Sequence, residues 1–228
     1  MKNIKAIVFD FDGTLSLRSH AAYDKYRHDI KILFPEVDDT SIEFEAIVQN
    51  CMTWDQYGTV SKRFVFDQLA KTYKLDIEVT NDLASKWLDN FHEYQVLREG
   101  VVETLKELKK HYKIGCITNG DSKGQHSKLD YTDLKQYFDS VIVSGDFGIH
   151  KPDPRIFMES CKQLNVLPEE MIYVGDTFYA DVYGATLADC TPVWLWPDKE
   201  RPCNTDVHRI YSFTEIIKKI EEIKNQVD

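Results

Sequence analysis

The chain has little with which to build a disulfide framework or a structural zinc site. Its five cysteines, Cys51, Cys116, Cys161, Cys190 and Cys203, are odd in number and no two are spaced Cys-x-x-Cys. They read as reduced thiols of a cytoplasmic protein, with Cys116 in an apolar stretch as a core residue. Glycine (10) and proline (7) are scarce in 228 residues, which excludes a low-complexity chain and argues against disorder. No run approaches the ~18 apolar residues of a membrane span. The apolar stretch near the N-terminus is short and ends in acids, so it is not read as a signal peptide. Basic residues are in deficit, 28 against 38 acidic, for a net charge of −10. A broad surface for nucleic acid or an anionic membrane is therefore not expected. A small phosphorylated metabolite is compatible with that charge, because a metal ion and one or two cations reverse the field locally.

What is present begins with Ile4-Lys5-Ala6-Ile7-Val8-Phe9-Asp10-Phe11-Asp12-Gly13-Thr14-Leu15. An apolar strand ends on two carboxylates one residue apart, followed at once by Gly-Thr. A polar turn would account for Asp and Gly at a strand end. The spacing also has a chemical use, because residues two apart in extended chain point the same way, although Gly13 signals a turn. Two carboxylates held close cannot both ionise cheaply unless a cation lies between them or one keeps its proton. Such a pair suits a nucleophile beside a general acid, with Mg²⁺ neutralising the cluster. Gly13 lets backbone N–H groups approach an anion, and Thr14 adds a hydroxyl donor.

From Lys113 onward the pattern alternates strand and helix. Strands are expected at Lys113 to Thr118, Ser140 to Val143, Met171 to Val174 and Pro192 to Leu195. Helices are expected at Val101 to His111, Pro154 to Leu164, Ala180 to Ala188 and Phe213 to Ile223. Asp153-Pro154 is a helix start, an N-cap acid followed by Pro at the first helical position. Alternation of this kind implies an α/β fold, a Rossmann-like parallel sheet sandwiched by helices. In such sheets ligands bind beyond the carboxyl ends of the strands, where Asp10, Thr118, Ser144 and Asp176 fall. Residues 16–96 differ: apolar residues recur at helical spacing, as in Phe44, Ile47 and Val48. Four helices are expected there, Ala22–Leu33, Thr40–Cys51, Gln56–Tyr73 and Thr80–Tyr94. The chain thus divides into a core, residues 1–15 and 97–228, and an inserted all-helical domain placed directly after the acids. That position suits a cap over the site.

With Asp10, Asp12, Thr118, Lys151 and Asp176 in hand, the chain resembles the haloacid dehalogenase-like hydrolases over almost its whole length. The motifs stand in order: Asp10-Phe11-Asp12-Gly13-Thr14-Leu15, Thr118-Asn119-Gly120, Lys151-Pro152-Asp153-Pro154, and Val174-Gly175-Asp176 with Asp181 five further on. The insertion between the first two is similar to the family's helical C1 cap. The resemblance implies that Asp10 attacks phosphorus and forms an aspartyl-phosphate. It makes Asp12 the acid that protonates the leaving oxygen and the base that then activates water. Mg²⁺ would be held by the side chains of Asp10 and Asp176 and the backbone carbonyl of Asp12, with Asp181 supporting the metal's waters or Lys151. Thr118 and the backbone at Asn119 would grip the phosphoryl oxygens, and Lys151 would neutralise them. Dehalogenases of the family lack the second Asp, so Asp12 points to phosphate chemistry. A phosphatase is expected ahead of a phosphomutase or phosphotransferase, and a non-catalytic binding protein would be free to lose these acids.

The leaving group is less legible. Ile117-Thr118-Asn119-Gly120-Asp121 resembles both nucleotidases and sugar-phosphate phosphatases, but that segment handles phosphate. Arg18, His20, Tyr23, Tyr26 and Arg27 are nearest the nucleophile in sequence, and Arg18 and Arg27 are the candidates to contact substrate. Trp54, Tyr57 and Arg63 are further candidates. Departures from the family pattern are Glu99-Gly100 where Pro-Gly is usual and His150 before Lys151. Neither touches the chemistry. The sequence does not give an oligomeric state.

Overall fold

The computed structural model of the chain describes residues 2–226. Its centre is β1 (Ala6–Phe9), whose four side chains are all buried. A strand covered on both faces needs a continuous apolar run, and Ala-Ile-Val-Phe is one. β1 pairs in parallel with β2 (Lys113–Thr118) on one side and, on the other, with the strand Met171–Gly175. With Ser140–Val143 as β3, Met171–Gly175 as β4, Thr191–Leu195 as β5 and His208–Ile210 as β6, the six-stranded sheet runs β3-β2-β1-β4-β5-β6. Every pairing is parallel.

Strand residues alternate between the two faces. Ile7, Phe9, Ile114, Cys116, Ile172 and Val174 pack with residues of the helices Val101–Leu108 and Ile216–Asn225. Ala6, Val8, Met171 and Tyr173 pack with residues of the helices Pro154–Leu164 and Gly184–Leu187. After β1 the chain builds β2 and β3 outward to one side, then returns to place β4 against β1's other edge. Strand order reverses there, so the crevice beyond the ends of β1 and β4 is where a ligand should bind.

Contacts divide the chain into two compact units, one of Arg18–Val96 and one of the segments before and after it. The inserted unit holds α1 (Arg18–Leu33), α2 (Ile42–Asp55), α3 (Lys62–Tyr73) and α4 (Ile77–Lys86), around a core that includes Tyr26, Ile30, Phe44, Val48, Phe66, Trp87 and Phe91. Ser41 and Ser61 cap α2 and α3, accepting from Phe44 N at 3.1 Å and Phe64 N at 3.2 Å. All four helices differ in their bounds from the sequence expectation: α1 begins earlier, at Arg18, α2 runs Ile42–Asp55 and α4 begins at Ile77, while two differences are larger. The helix expected from Gln56 starts only at Lys62, because Gln56, Tyr57 and Gly58 all take left-handed backbone (φ 45°, 57° and 83°). The last expected helix breaks after Lys86 and ends in a separate 3₁₀ turn at Phe91–Tyr94.

In the other unit, α5 is Val101–Leu108 and α6 is Ser122–Tyr131, a helix the sequence pattern did not announce. A short α7 (Ser144–Phe147) follows β3, then α8 (Pro154–Leu164). Between β4 and β5 a π-helical turn, Phe178–Tyr183, leads into α9 (Gly184–Leu187), where one regular helix was expected. α10 is Ile216–Asn225.

Candidate active site

At the end of β1, Asp10 is 6% exposed and its backbone N–H donates to the Val174 carbonyl of β4 at 2.9 Å. The ladder thus carries Asp10 to the reversal point. Lys151, on the loop before α8, places its ammonium 2.7 Å from Asp10 Oδ1, 2.7 Å from Asp181 Oδ1 and 2.8 Å from the Tyr173 hydroxyl. All three N–H donors are used. The Tyr173 hydroxyl donates in turn to the Ile117 carbonyl at 3.1 Å. Asn119 fixes the lysine's backbone: its Oδ1 accepts from Lys151 N at 2.9 Å and its Nδ2 donates to Lys151 O at 3.0 Å. The side chain of Asn119 is therefore a strut for Lys151, which its place in the motif did not reveal.

Asp176 follows β4. Its Oδ1 accepts from the Thr14 hydroxyl at 3.2 Å, and its carbonyl accepts from Trp194 Nε1 at 2.8 Å. Gly13 is required beside it: φ is +89°, and an added Cβ would stand 2.3 Å from Asp176 Oδ2. Arg98 pins the same turn, donating from Nε at 3.1 Å and Nη2 at 2.7 Å to the Gly13 carbonyl. Asp181 comes back to the site through the π-helical turn. Gly175 makes room, since a Cβ there would lie 2.3 Å from the Asp181 side chain. One oxygen of Asp181 faces Lys151, and the other accepts from Thr177 N at 2.9 Å.

Asp10, Asp176 and Asp181 each offer an oxygen within 4.8 Å of the others, the geometry of a cation site. Two buried carboxylates, Asp10 and Asp181, share the Lys151 ammonium, and the half-buried Asp176 lies beside them. Burial pushes the Asp10 carboxyl well above the usual range; Lys151 opposes this, while Asp181 and Asp176 add to it. Burial likewise pushes Asp176 up to about 7, helped by Asp181 and opposed by Lys151. Burial alone would lower Lys151, yet Asp10 and Asp181 outweigh it and hold the ammonium charged. Negative charge is in surplus, and a hard divalent cation with oxygen ligands fits it. Asp181 gives one oxygen to Lys151 and the other to Thr177 N, while Asp10 Oδ1 meets Lys151 and Asp176 Oδ1 meets Thr14.

Asp12 points elsewhere. Lys128 Nζ lies 2.9 Å from its Oδ1 and 2.7 Å from its Oδ2, and Gln125 Nε2 donates to Oδ2 at 2.9 Å. The two residues sit three apart on α6, on one face. Thr118, fully buried, donates from its hydroxyl to Gln125 Oε1 at 3.2 Å. Ser144, at the end of β3, receives Gly120 N at 3.0 Å and so shapes the loop after Thr118. The structure thus brings Asp10, Thr118, Asn119, Lys151, Asp176 and Asp181 to one edge, with Asp12 joined through α6. Arg18 and Arg27 lie in the helical unit with their charges committed there, Arg18 to Asp55 at 2.9 Å and Arg27 to Glu45 at 3.4 Å. Gln125, Lys128, Arg98 and Tyr173 are the residues sequence reasoning missed. The signal for the first two was their i, i+3 spacing directly after Thr118-Asn119-Gly120.

A family model described as haloacid dehalogenase-like hydrolase matches residues 4–189. The chain belongs to that family. Among curated proteins it is similar to a glyceraldehyde 3-phosphate phosphatase of Pyrococcus furiosus, 30% identical over 241 residues, covering 99% of this chain and 95% of that one. It is also similar to human N-acylneuraminate-9-phosphatase, 34% identical over 110 residues, which are 48% of this chain and 44% of that one. Among solved structures, a Bacillus subtilis HAD-hydrolase bound to magnesium superposes with a TM-score of 0.75 at 22% identity, covering 99% of this chain and 100% of that one. No helix among the described residues is long and apolar enough to cross a membrane.

Proposed function

We propose that the chain is a phosphatase that hydrolyses the phosphomonoester of a small sugar-phosphate-like metabolite, through an aspartyl-phosphate on Asp10. The observation that carries this reading is the cluster at the sheet reversal, where Asp10, Asp176 and Asp181 converge and Lys151 bridges Asp10 and Asp181. In the first displacement an Asp10 oxygen attacks phosphorus and the bond from phosphorus to the ester oxygen breaks. Asp12, whose oxygens accept from Lys128 and Gln125 in the substrate-free protein, takes up a proton from solvent and gives it to that leaving oxygen. In the second, Asp12 takes a proton from water, the water oxygen attacks phosphorus, and the bond to Asp10 breaks to release inorganic phosphate. Lys151 offsets the negative charge of the phosphoryl group, and the Asn119 backbone N–H grips its oxygens, joined by the Thr118 hydroxyl once it turns from Gln125 Oε1. Preorganised charge of this kind supplies most of the acceleration in phosphoryl transfer.

Asp10, Asp176 and the Asp12 carbonyl would hold Mg²⁺, whose oxygen preference fits the donor set. When bound, the ion neutralises the carboxylate surplus and lets a phosphate dianion approach Asp10. The inserted helical unit is read as a cap that selects the leaving group. The sugar-phosphate class is supported by the two relatives, whose names specify glyceraldehyde 3-phosphate and an N-acylneuraminate 9-phosphate.

The test is phosphate release from a panel of triose, hexose and acid-sugar phosphates and nucleotides, with Mg²⁺ or with a chelator. Metal-dependent release, with sugar phosphates ahead of nucleotides, is expected. No release from any compound by folded, Mg²⁺-supplemented protein would overturn the reading.

A further inference from the structure

Asp12 sits on the turn after β1, and two residues of α6, Gln125 and Lys128, bond its carboxylate. Lys128 is 6% exposed and Gln125 is 5% exposed. A lysine so buried is rare unless its charge is met. Here the ammonium spans both oxygens of Asp12, at 2.9 and 2.7 Å, which fixes the plane of the carboxylate as well as its position. Gln125 adds a donor to Oδ2 at 2.9 Å and uses its other atoms on the phosphate-handling loop. Its Oε1 accepts from the Thr118 hydroxyl at 3.2 Å, and its Nε2 also lies 3.2 Å from the Asn119 carbonyl. One amide therefore spans the acid–base group and the loop after β2. Gly120 is shaped to the same amide: its φ is +155°, and a Cβ there would stand 2.4 Å from Gln125 Nε2.

We propose that Gln125 and Lys128 are positioning residues for proton transfer, setting Asp12 in register with the loop that receives the phosphoryl group. The inference rests on the reading of Asp12 as acid and base. Lys151 has a separate task on Asp10, so the site uses two buried lysines, one for the nucleophile and one for the proton carrier. A purely structural ion pair would not care which leaving group departs, and a positioning pair would. A sugar alkoxide needs the proton of Asp12 to leave, whereas p-nitrophenolate leaves without one. Both substrates need Asp12 again when water attacks the phosphorylated enzyme.

The experiment compares Lys128→Met, Lys128→Arg and Gln125→Met with wild type by rapid mixing, on p-nitrophenyl phosphate and on the preferred sugar phosphate. Lys128→Met is expected to slow enzyme phosphorylation by the sugar phosphate about 100-fold, within the range of general acid catalysis. With p-nitrophenyl phosphate the same variant should show a burst of about one equivalent of nitrophenolate before a slow steady state, the mark of an accumulating phospho-enzyme. Lys128→Arg, which can span a carboxylate in the same way, should restore most of the rate. Gln125→Met should show the same pattern with a smaller loss. Equal losses on both substrates without a burst, or unchanged rates on both, would overturn the proposal. If Lys128→Met does not fold, Gln125→Met and Lys128→Arg carry the comparison on the same criteria. Wild type that releases phosphate from neither substrate would instead sink the phosphatase reading itself.

Discussion

Each unit of the chain buries a cluster of charged side chains, and the two clusters are opposite in balance. In the helical unit a single carboxylate, Asp55, 1% exposed, takes Arg18 at 2.9 Å and also Lys62, with the Tyr26 hydroxyl at 2.9 Å. Burial pushes the Asp55 carboxyl up, but Arg18 and Lys62 outweigh it and hold it below its ordinary value. Lys62 rests over the Trp87 ring, 4.2 Å from its centroid. In the sheet unit three carboxylates converge and one lysine bridges two of them, and Asp10 and Asp176 are pushed up. A cluster whose carboxylate is fully met by cations ties helices together. A cluster with surplus carboxylates is unfinished until something cationic arrives, and that is the physical mark of a site.

Four substitutions or conditions separate the two cases. Asp10→Asn should lower kcat by roughly 10⁴-fold or more, as loss of a nucleophile does. It should not lower the melting temperature of the metal-free protein, because it removes surplus negative charge. A clear drop in melting temperature would place Asp10 among the structural ion pairs. Asp55→Ala should act the other way, costing about 3–5 kcal/mol by leaving Arg18 and Lys62 without their buried partner. Urea unfolding measures this, and a neutral result would contradict a structural role for the Asp55 cluster.

The pH dependence should also differ in sign. Without a cation, burial pushes the Asp176 carboxyl up to about 7, against an ordinary value of about 4 for the unfolded chain. Native protein therefore keeps a proton that the unfolded chain releases, and stability falls as pH rises from about 4 to about 7. Asp55, held low, contributes stability that is present above about pH 4 and lost as pH falls through its depressed value. Mg²⁺ binds the ionised carboxylates, so excess Mg²⁺ should flatten the decline in the upper window. A decline that persists unchanged in Mg²⁺, followed by urea unfolding at each pH, would separate that titration from the metal site. The smallest effect belongs to Arg27→Ala. Its partner Glu45 is 40% exposed, and a pair of that kind contributes about 1 kcal/mol or less. A large loss of kcat/KM for the preferred substrate would make Arg27 a substrate contact instead.

Much of the sheet unit could be read from sequence because its signals are local. The strands Lys113–Thr118 and Ser140–Val143 and the helix Pro154–Leu164 have the expected bounds. Each is an apolar run or stripe closed by a cap or turn residue. The strand pattern placed Asp10, Thr118, Ser144 and Asp176 at strand ends without any knowledge of distance, and the family motifs added Lys151 and Asp181 to them. α6 was illegible because Ser-Lys-Gly-Gln-His-Ser-Lys-Leu-Asp-Tyr has almost no apolar stripe. Only Leu129 of it joins the core, while Gln125 and Lys128 are buried on polar partners far away in sequence. Those partners are what make the helix pack, and periodicity carries no trace of them. The three-residue strand His208–Ile210 is too short to show alternation. The π-helical turn at Phe178–Tyr183 reads as ordinary helix, although the wider turn is what returns Asp181 to Lys151. In the helical unit, the left-handed residues 56–58 broke a helix that composition alone would have continued.

The central claim is that phosphate passes through Asp10. The most direct measurement is a rapid acid quench of the enzyme during turnover of p-nitrophenyl phosphate in Mg²⁺, followed by peptide mass analysis. A phosphoryl adduct is predicted on the peptide bearing Asp10 in wild type and in none of the peptides of Asp10→Asn. Phosphate release at full rate with no adduct trapped in wild type, or turnover surviving in Asp10→Asn, would mean that water attacks the substrate directly and would contradict the account.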